Sequence, residues 1–235
     1  MMTEYIFAPS PCTSLPIRGE NRRFPIRRVF LIGQNYALHT IEMGGDPTKT
    51  KPFIFMKPAD AVIESGQIIP YPGQTQDLHH EIELVVAIGK TGADIPAASA
   101  MDHVYGYAAG IDLTRRDLQA TAKKAGRPWD AAKGFDRSAP ISEIVPADQV
   151  ADPQNARIWL SVNGEEPRQD STTADMIFDI PTLISIASQF WCLQPGDLIF
   201  SGTPSGVAAI QPGDTVTGGI EGVADVSITI AQEIA

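Results

Sequence analysis

Cysteine is scarce in this chain: only Cys12 and Cys192 occur among 235 residues. Two cysteines so far apart build no disulfide framework, and a reducing cytoplasm is the expected setting. Long apolar runs are also missing. The longest are strand-sized, well short of the about 20 residues that a membrane-spanning helix needs. The N-terminus lacks the charged segment followed by an apolar one that marks a secretory leader. Basic residues are in deficit, 18 Lys and Arg against 28 Asp and Glu, for a net charge of −10. That excess argues against nucleic acid and anionic membranes as partners. A small anionic substrate would need a local cation, and RRFPIRR (22–28) and TRRD (114–117) are the candidate sources.

What the chain does have is punctuation. Its 20 Gly and 19 Pro cut it into short segments, while a 43% apolar and 20% charged composition is that of an ordinary globular domain. Strands are expected near 28–33, 53–57, 61–63, 81–88, 104–111, 157–162, 198–201, 215–217 and 225–230, with clear alternation in DVSITI. Helix signals are fewer. Thr114 is placed to cap a helix through Lys124, Pro181 opens one through Phe190, and a short turn fits 35–43. Asn163-Gly164 marks a hairpin. Many short strands with few helices predict a β-rich α+β fold.

The chemistry begins with HHEIELVVAIGK (79–90). Glu81 and Glu83 lie two apart, so an extended chain projects both from one face. Alone, the pair also fits a solvated strand end. Asp112 ends a second apolar strand, VYGYAAGID, and could meet the pair if the two strands are neighbours. Three oxygen ligands with sparse His suit a hard divalent ion, Mg2+ or Mn2+, with Ca2+ a poorer match. In GQNYALHTIEMGG (33–45), His39 and Glu42 share a helical face, the arrangement of a general base oriented by a carboxylate. The flanking glycines suggest a loop that orders over a site. Arg116 and Gln119 present polar groups at a strand–helix junction, with Lys133 nearby. The turn in FSGTPSGV (200–207) offers backbone N–H groups and a hydroxyl to an anion. No Walker ending and no nucleophile elbow is present.

As an ordered set, these pieces resemble the fumarylacetoacetate hydrolase family. The resemblance runs from about Arg28 onward through GQNYALHTIE (33–42), FMKP (55–58), EIEL (81–84), GIDLTRRDLQ (110–119), KGFD (133–136), LSVNGE (160–165) and GDLIFSGTPSGV (196–207). Within the family, the segments YGYAAGIDLTRRDLQ, GRPWD and RFPIRRVF are most similar to the fumarylpyruvate hydrolases, which act on acylpyruvates. The resemblance implies a mixed β-roll with few helices, an N-terminal extension at 1–27 and a single catalytic domain at 28–235. It implies a homodimer, and Mg2+ or Mn2+ bound by Glu81, Glu83 and Asp112. It implies His39, Glu42 and Lys133 as catalytic residues. Arg116, Gln119, Gly202, Thr203 and Lys57 are implied to contact substrate. Arg23, Arg27, Arg115 and Trp129 are candidates for the wall that reads the distal group. One departure from the pattern is Gly134-Phe135 after Lys133, where relatives often carry Ala or Ser.

The reaction so implied is metal-dependent hydrolysis of the C–C bond of a 3-acylpyruvate, an anionic diketo acid, with fumarylpyruvate giving fumarate and pyruvate. Oxaloacetate decarboxylation and 2-keto-4-pentenoate hydration are the alternatives, since one fold supports several reactions. A non-catalytic binding protein on the same fold is the remote one.

Overall fold

The computed structural model describes residues 5–49 and 51–232. The first four residues of the expected extension, and Thr50 and the last three residues of the expected domain, lie outside that range. The chain opens with β1 (Ser14–Pro16), β2 (Arg23–Pro25), β3 (Arg28–Gly33), α1 (Ala37–Glu42), β4 (Phe53–Lys57), β5 (Val62–Glu64) and β6 (Gln67–Ile69). Next come β7 (Leu78–His79), β8 (Ile82–Ile88), β9 (Val104–Ile111), β10 (Thr114–Arg115), α2 (Arg116–Ala125) and α3 (Asp130–Lys133). Then follow β11 (Ala139–Ile141), β12 (Val145–Pro146), β13 (Arg157–Val162), β14 (Gln169–Thr172) and α4 (Ile180–Phe190). The chain closes with β15 (Asp197–Phe200), β16 (Ala209–Ile210), β17 (Thr215–Ile220) and β18 (Ala224–Ile230). None of the helices among the described residues is long and apolar enough to cross a membrane.

The fold is β-rich with few helices. Its largest sheet runs in the order β4-β3-β15-β8-β9-β11-β5, and a second runs β14-β13-β17-β18-β6. Both are mixed: β3 with β15, β5 with β11 and β6 with β18 are parallel pairs in otherwise antiparallel sheets.

Strand β8 lies at the centre, buried at every residue. Ile82, Leu84, Val86 and Ile88 face the larger core, shared with Ile158, Leu160, Val216 and the apolar side of α4. Val85 and Ala87 face a second core with Leu31, Ala108 and Phe200. A strand buried on both faces reads as an unbroken apolar run, as LVVAI does. Leu15 and Phe24 pair across the β1–β2 hairpin and pack into that second core, so residues before Arg28 are part of the folded body.

Local chemistry explains some element ends. Asp179 caps α4 by accepting the Thr182 N–H at 3.0 Å, and Pro181 sits in the first turn. Asn163 and Gly164 take φ of 55° and 72°, and Glu165 N–H donates to the Val162 carbonyl at 3.1 Å, closing the expected turn. Thr114 does not cap α2. It lies in the two-residue strand β10 opposite His79, its hydroxyl donating to the Asp112 carbonyl at 3.2 Å.

Candidate active site

Register builds the floor of the site. The β8–β9 pairing sets Ile82 against Ile111 and Glu83 against Gly110, and one step further the Asp112 N–H donates to the Glu81 carbonyl at 2.8 Å. Period two along β8 does the rest. Carboxylate oxygens of Glu81, Glu83 and Asp112 all lie within 4.8 Å of one another, and all three residues are buried.

The turn after β15 closes one side. Ser201 N–H donates to the Leu84 carbonyl at 3.0 Å, extending the β15–β8 pairing toward the carboxylates. Gly202 N–H then donates to Glu83 Oε2 at 2.7 Å. Its φ is +95°, and a Cβ there would stand 2.8 Å from the Asn35 Cβ, so only glycine fits.

Three cations meet this floor. Lys133 Nζ donates to Glu81 Oε2 at 2.8 Å and to Asp112 Oδ2 at 2.5 Å. Arg116 donates to the other Glu81 oxygen and, at 2.6 Å, to Gln119 Oε1. Lys57 Nζ lies 2.9 Å from Asp112 Oδ1 but donates to the Leu113 and Lys133 carbonyls, and Asp112 Oδ1 accepts no hydrogen bond. Burial lowers the Lys57 ammonium to about 8 against the pull of Asp112. Burial also opposes ionisation of Glu81, yet Lys133 and Arg116 hold it well below the usual carboxylate range. Glu83 goes the other way. Burial and the charges of Asp112 and Glu81 push it well up, and among the described residues no cation pairs with it.

These residues fit a hard divalent cation. The donor set is all oxygen. Glu83 lacks a paired counter-charge, which a cation coordinated by the three carboxylates would supply.

The roof is the segment carrying α1. His39 Nδ1 sits 3.0 Å from Glu42 Oε2, a carboxylate oxygen that accepts from an Nδ1–H and so leaves Nε2 as the basic nitrogen. Glu42 Oε1 accepts the Gly206 N–H at 3.2 Å, joining the roof to the Gly-Thr-Pro turn. His39, Glu81, Glu83, Arg116, Gln119, Lys133 and Thr203 line one narrow cleft. Phe53, Phe55 and Trp129 form its apolar wall, with the Trp129 ring 5.2 Å and 5.6 Å from the two phenyl rings.

Several expected contacts fall elsewhere. Lys57 is fully enclosed behind Asp112 and is not on the cleft wall, so it holds the carboxylate from beneath. The Gly202 N–H is spent on Glu83, which places it as support for the floor. Of the distal candidates only Trp129 lines the cleft. Arg23 pairs with Glu64, Arg27 with Asp197, and Arg115 stacks on Phe135. Three participants were not singled out: Asn35, whose amide bridges Ser201 and Phe178, and Gly206, both inside quoted motifs, and Gln169, which lies outside them all.

This fold and site define a class of protein. Residues 28–231 match the family described as "Fumarylacetoacetate (FAA) hydrolase C-terminal", and the chain belongs to that family as one of its enzymes. The crystal structure of fumarylpyruvate hydrolase from Pseudomonas aeruginosa, in complex with Mn2+ and pyruvate, is similar at a TM-score of 0.95 and 48% identity. The match covers 98% of this chain and 100% of that one. The mitochondrial oxaloacetate tautomerase FAHD1 of Arabidopsis thaliana is 42% identical over 207 residues, 88% of this chain and 92% of the relative. The mitochondrial oxaloacetate decarboxylase of Dictyostelium discoideum is 42% identical over 198 residues, 84% and 90% of the two chains.

Proposed function

We propose that this protein hydrolyses the C3–C4 bond of 3-acylpyruvates, with fumarylpyruvate giving fumarate and pyruvate. The observation that carries the reading is the shared cleft: His39, with its Nδ1 engaged by Glu42, lines the same space as Glu81, Glu83 and Lys133, and Asp112 lies directly behind that pair. A bound Mg2+ or Mn2+ would be held by Glu81, Glu83 and Asp112 and would supply Lewis-acid polarisation of the 2-keto-carboxylate head.

The chain's own residues supply the rest. Thr203, Gln119 and Arg116 hold the head group in place, and Gln119 keeps its amide N–H groups available because its oxygen is taken by Arg116. His39 Nε2, oriented by Glu42, takes a proton from water as the water oxygen bonds to C4. The C3–C4 electron pair leaves as the enolate of pyruvate, whose charge Lys133 stabilises, and a proton delivered to C3 completes pyruvate. The Phe53–Phe55–Trp129 wall suits a flat, apolar acyl segment longer than oxaloacetate offers. In the same reading, following the family resemblance, the enzyme is a cytoplasmic homodimer.

A second reading is supported by the relatives that act on oxaloacetate. There the same base would move a proton at C3 for tautomerisation, or the head group would be held while C4 leaves as carbon dioxide. An ultraviolet assay of fumarylpyruvate, shorter acylpyruvates and oxaloacetate separates the two, with products identified by chromatography. Hydrolysis predicts fumarate and pyruvate in equal amounts, lost with EDTA and restored by Mn2+. Turnover of oxaloacetate alone would overturn the first reading.

A further inference from the structure

Gln169, the first residue of β14, is wholly buried, and the reaction as described makes no use of it. Its side chain makes four polar contacts. Ile82 N–H donates to Oε1 at 3.1 Å, and His80 Nδ1 lies 3.0 Å from the same oxygen. Nε2 donates to Thr203 Oγ1 and to the Pro204 carbonyl, each at 2.8 Å. The orientation of this amide is fixed by its backbone partners. A peptide N–H only donates and a peptide C=O only accepts, so the oxygen must face Ile82 and the nitrogen Pro204.

That orientation has a consequence for Thr203. Its Oγ1 receives a proton from Gln169, so its own O–H must be donated elsewhere, and among the described residues nothing accepts it. Thr203 lines the cleft beside Glu81 and Glu83. A freely turning hydroxyl would present lone pairs to an incoming carboxylate for part of the time. A hydroxyl held in the accepting role toward Gln169 presents its proton instead. We infer that Gln169 is a positioning residue that locks the Thr203 hydroxyl as a donor to the carboxylate of a 2-keto acid. The Ile82 N–H, donated to the same amide, anchors that orientation to β8. The inference rests on the proposed binding of a 2-keto-carboxylate in this cleft.

The test is a double-mutant cycle read by calorimetry, titrating pyruvate into the Mn2+-loaded full chain. Gln169→Met keeps length and packing but donates nothing. It should weaken pyruvate binding about tenfold, the scale of a hydrogen bond to a charged group. In a Thr203→Val background the same change should cost less than about twofold, because no hydroxyl remains to be aimed. The affinity for Mn2+ alone should stay within about twofold in every variant. Equal losses of pyruvate affinity in both backgrounds, or a parallel loss of Mn2+ affinity, would show a merely structural role and overturn the inference. If Gln169→Met does not fold, Gln169→Glu carries the same cycle, since it retains an acceptor for Ile82. Wild-type turnover of fumarylpyruvate is scored separately. Its absence beside an intact Gln169–Thr203 coupling overturns the reaction and leaves the positioning role standing, whereas failure of the unmodified protein to bind pyruvate overturns both.

Discussion

The floor and the roof of the cleft are built by opposite means. The floor is fixed by sheet register: Glu81, Glu83 and Asp112 sit at paired strand ends, buried, with their backbones placed by the β8–β9 ladder and its extension. The roof is one six-residue helix whose outer residues, Leu38 and Ile41, are 66% and 57% exposed. It is held by few contacts, among them Glu42 to Gly206, Lys123 to the Met43 carbonyl at 3.3 Å and Tyr36 bridged to Met176. The contrast separates two jobs. A site that must hold a cation among like charges needs a scaffold that cannot relax. A base that must admit substrate and then exclude water needs a segment that can move.

Substitutions in the floor should have the largest effects. Asp112→Asn leaves Lys57 and Lys133 buried beside a neutral amide. It should cost roughly 3–5 kcal/mol of stability in chemical denaturation, and Mn2+ affinity should fall by more than the about 10–100-fold typical of residues that only support a ligand. Near-native stability would mean the lysines are not held by that carboxylate. Glu42→Gln acts on the roof alone. It should lower turnover by roughly 100-fold, within the range of a positioned base, with Mn2+ affinity unchanged.

A smaller effect sharpens the electrostatics. In metal-free protein Glu83 titrates above its unfolded value, so it carries no penalty below the ordinary carboxylate range. As pH rises through that range toward the raised folded value, the unfolded chain ionises first and stability falls. Glu83→Gln removes this loss while keeping an acceptor for Gly202. The metal-free variant should melt a few degrees higher than wild type at neutral pH, on a scale where about 1 kcal/mol moves a chain of this size by about 2–4 °C. The gap should close in acid. A wild type as stable as the variant at neutral pH would show that Glu83 is not under like-charge stress. Smallest of all, Leu38→Ser should change stability by less than about 0.5 kcal/mol, as expected for an open surface position.

The same contrast explains what could be read from the residues. Period two and two apolar strands ending in carboxylates made the floor legible, because register follows local pattern once the strands are neighbours. His39 and Glu42 were legible through helical spacing. What stayed hidden comes from long-range packing. Gln169 sits 87 residues from the Ile82 it grips, in a stretch of ordinary polar sequence. Lys57 was expected at the substrate only through the family resemblance, and its enclosure depends on where β4 and α3 meet. Short strands such as β7, β10 and β16 form only by tertiary pairing and leave no periodic trace.

The central claim is that floor and roof are separable, one holding the metal and the other supplying the base. One measurement tests it most directly: Mn2+ affinity and fumarylpyruvate turnover, both determined on purified His39→Ala. The account predicts a dissociation constant within about twofold of wild type and turnover reduced by at least about 100-fold. Full turnover, or loss of metal binding together with activity, would contradict it.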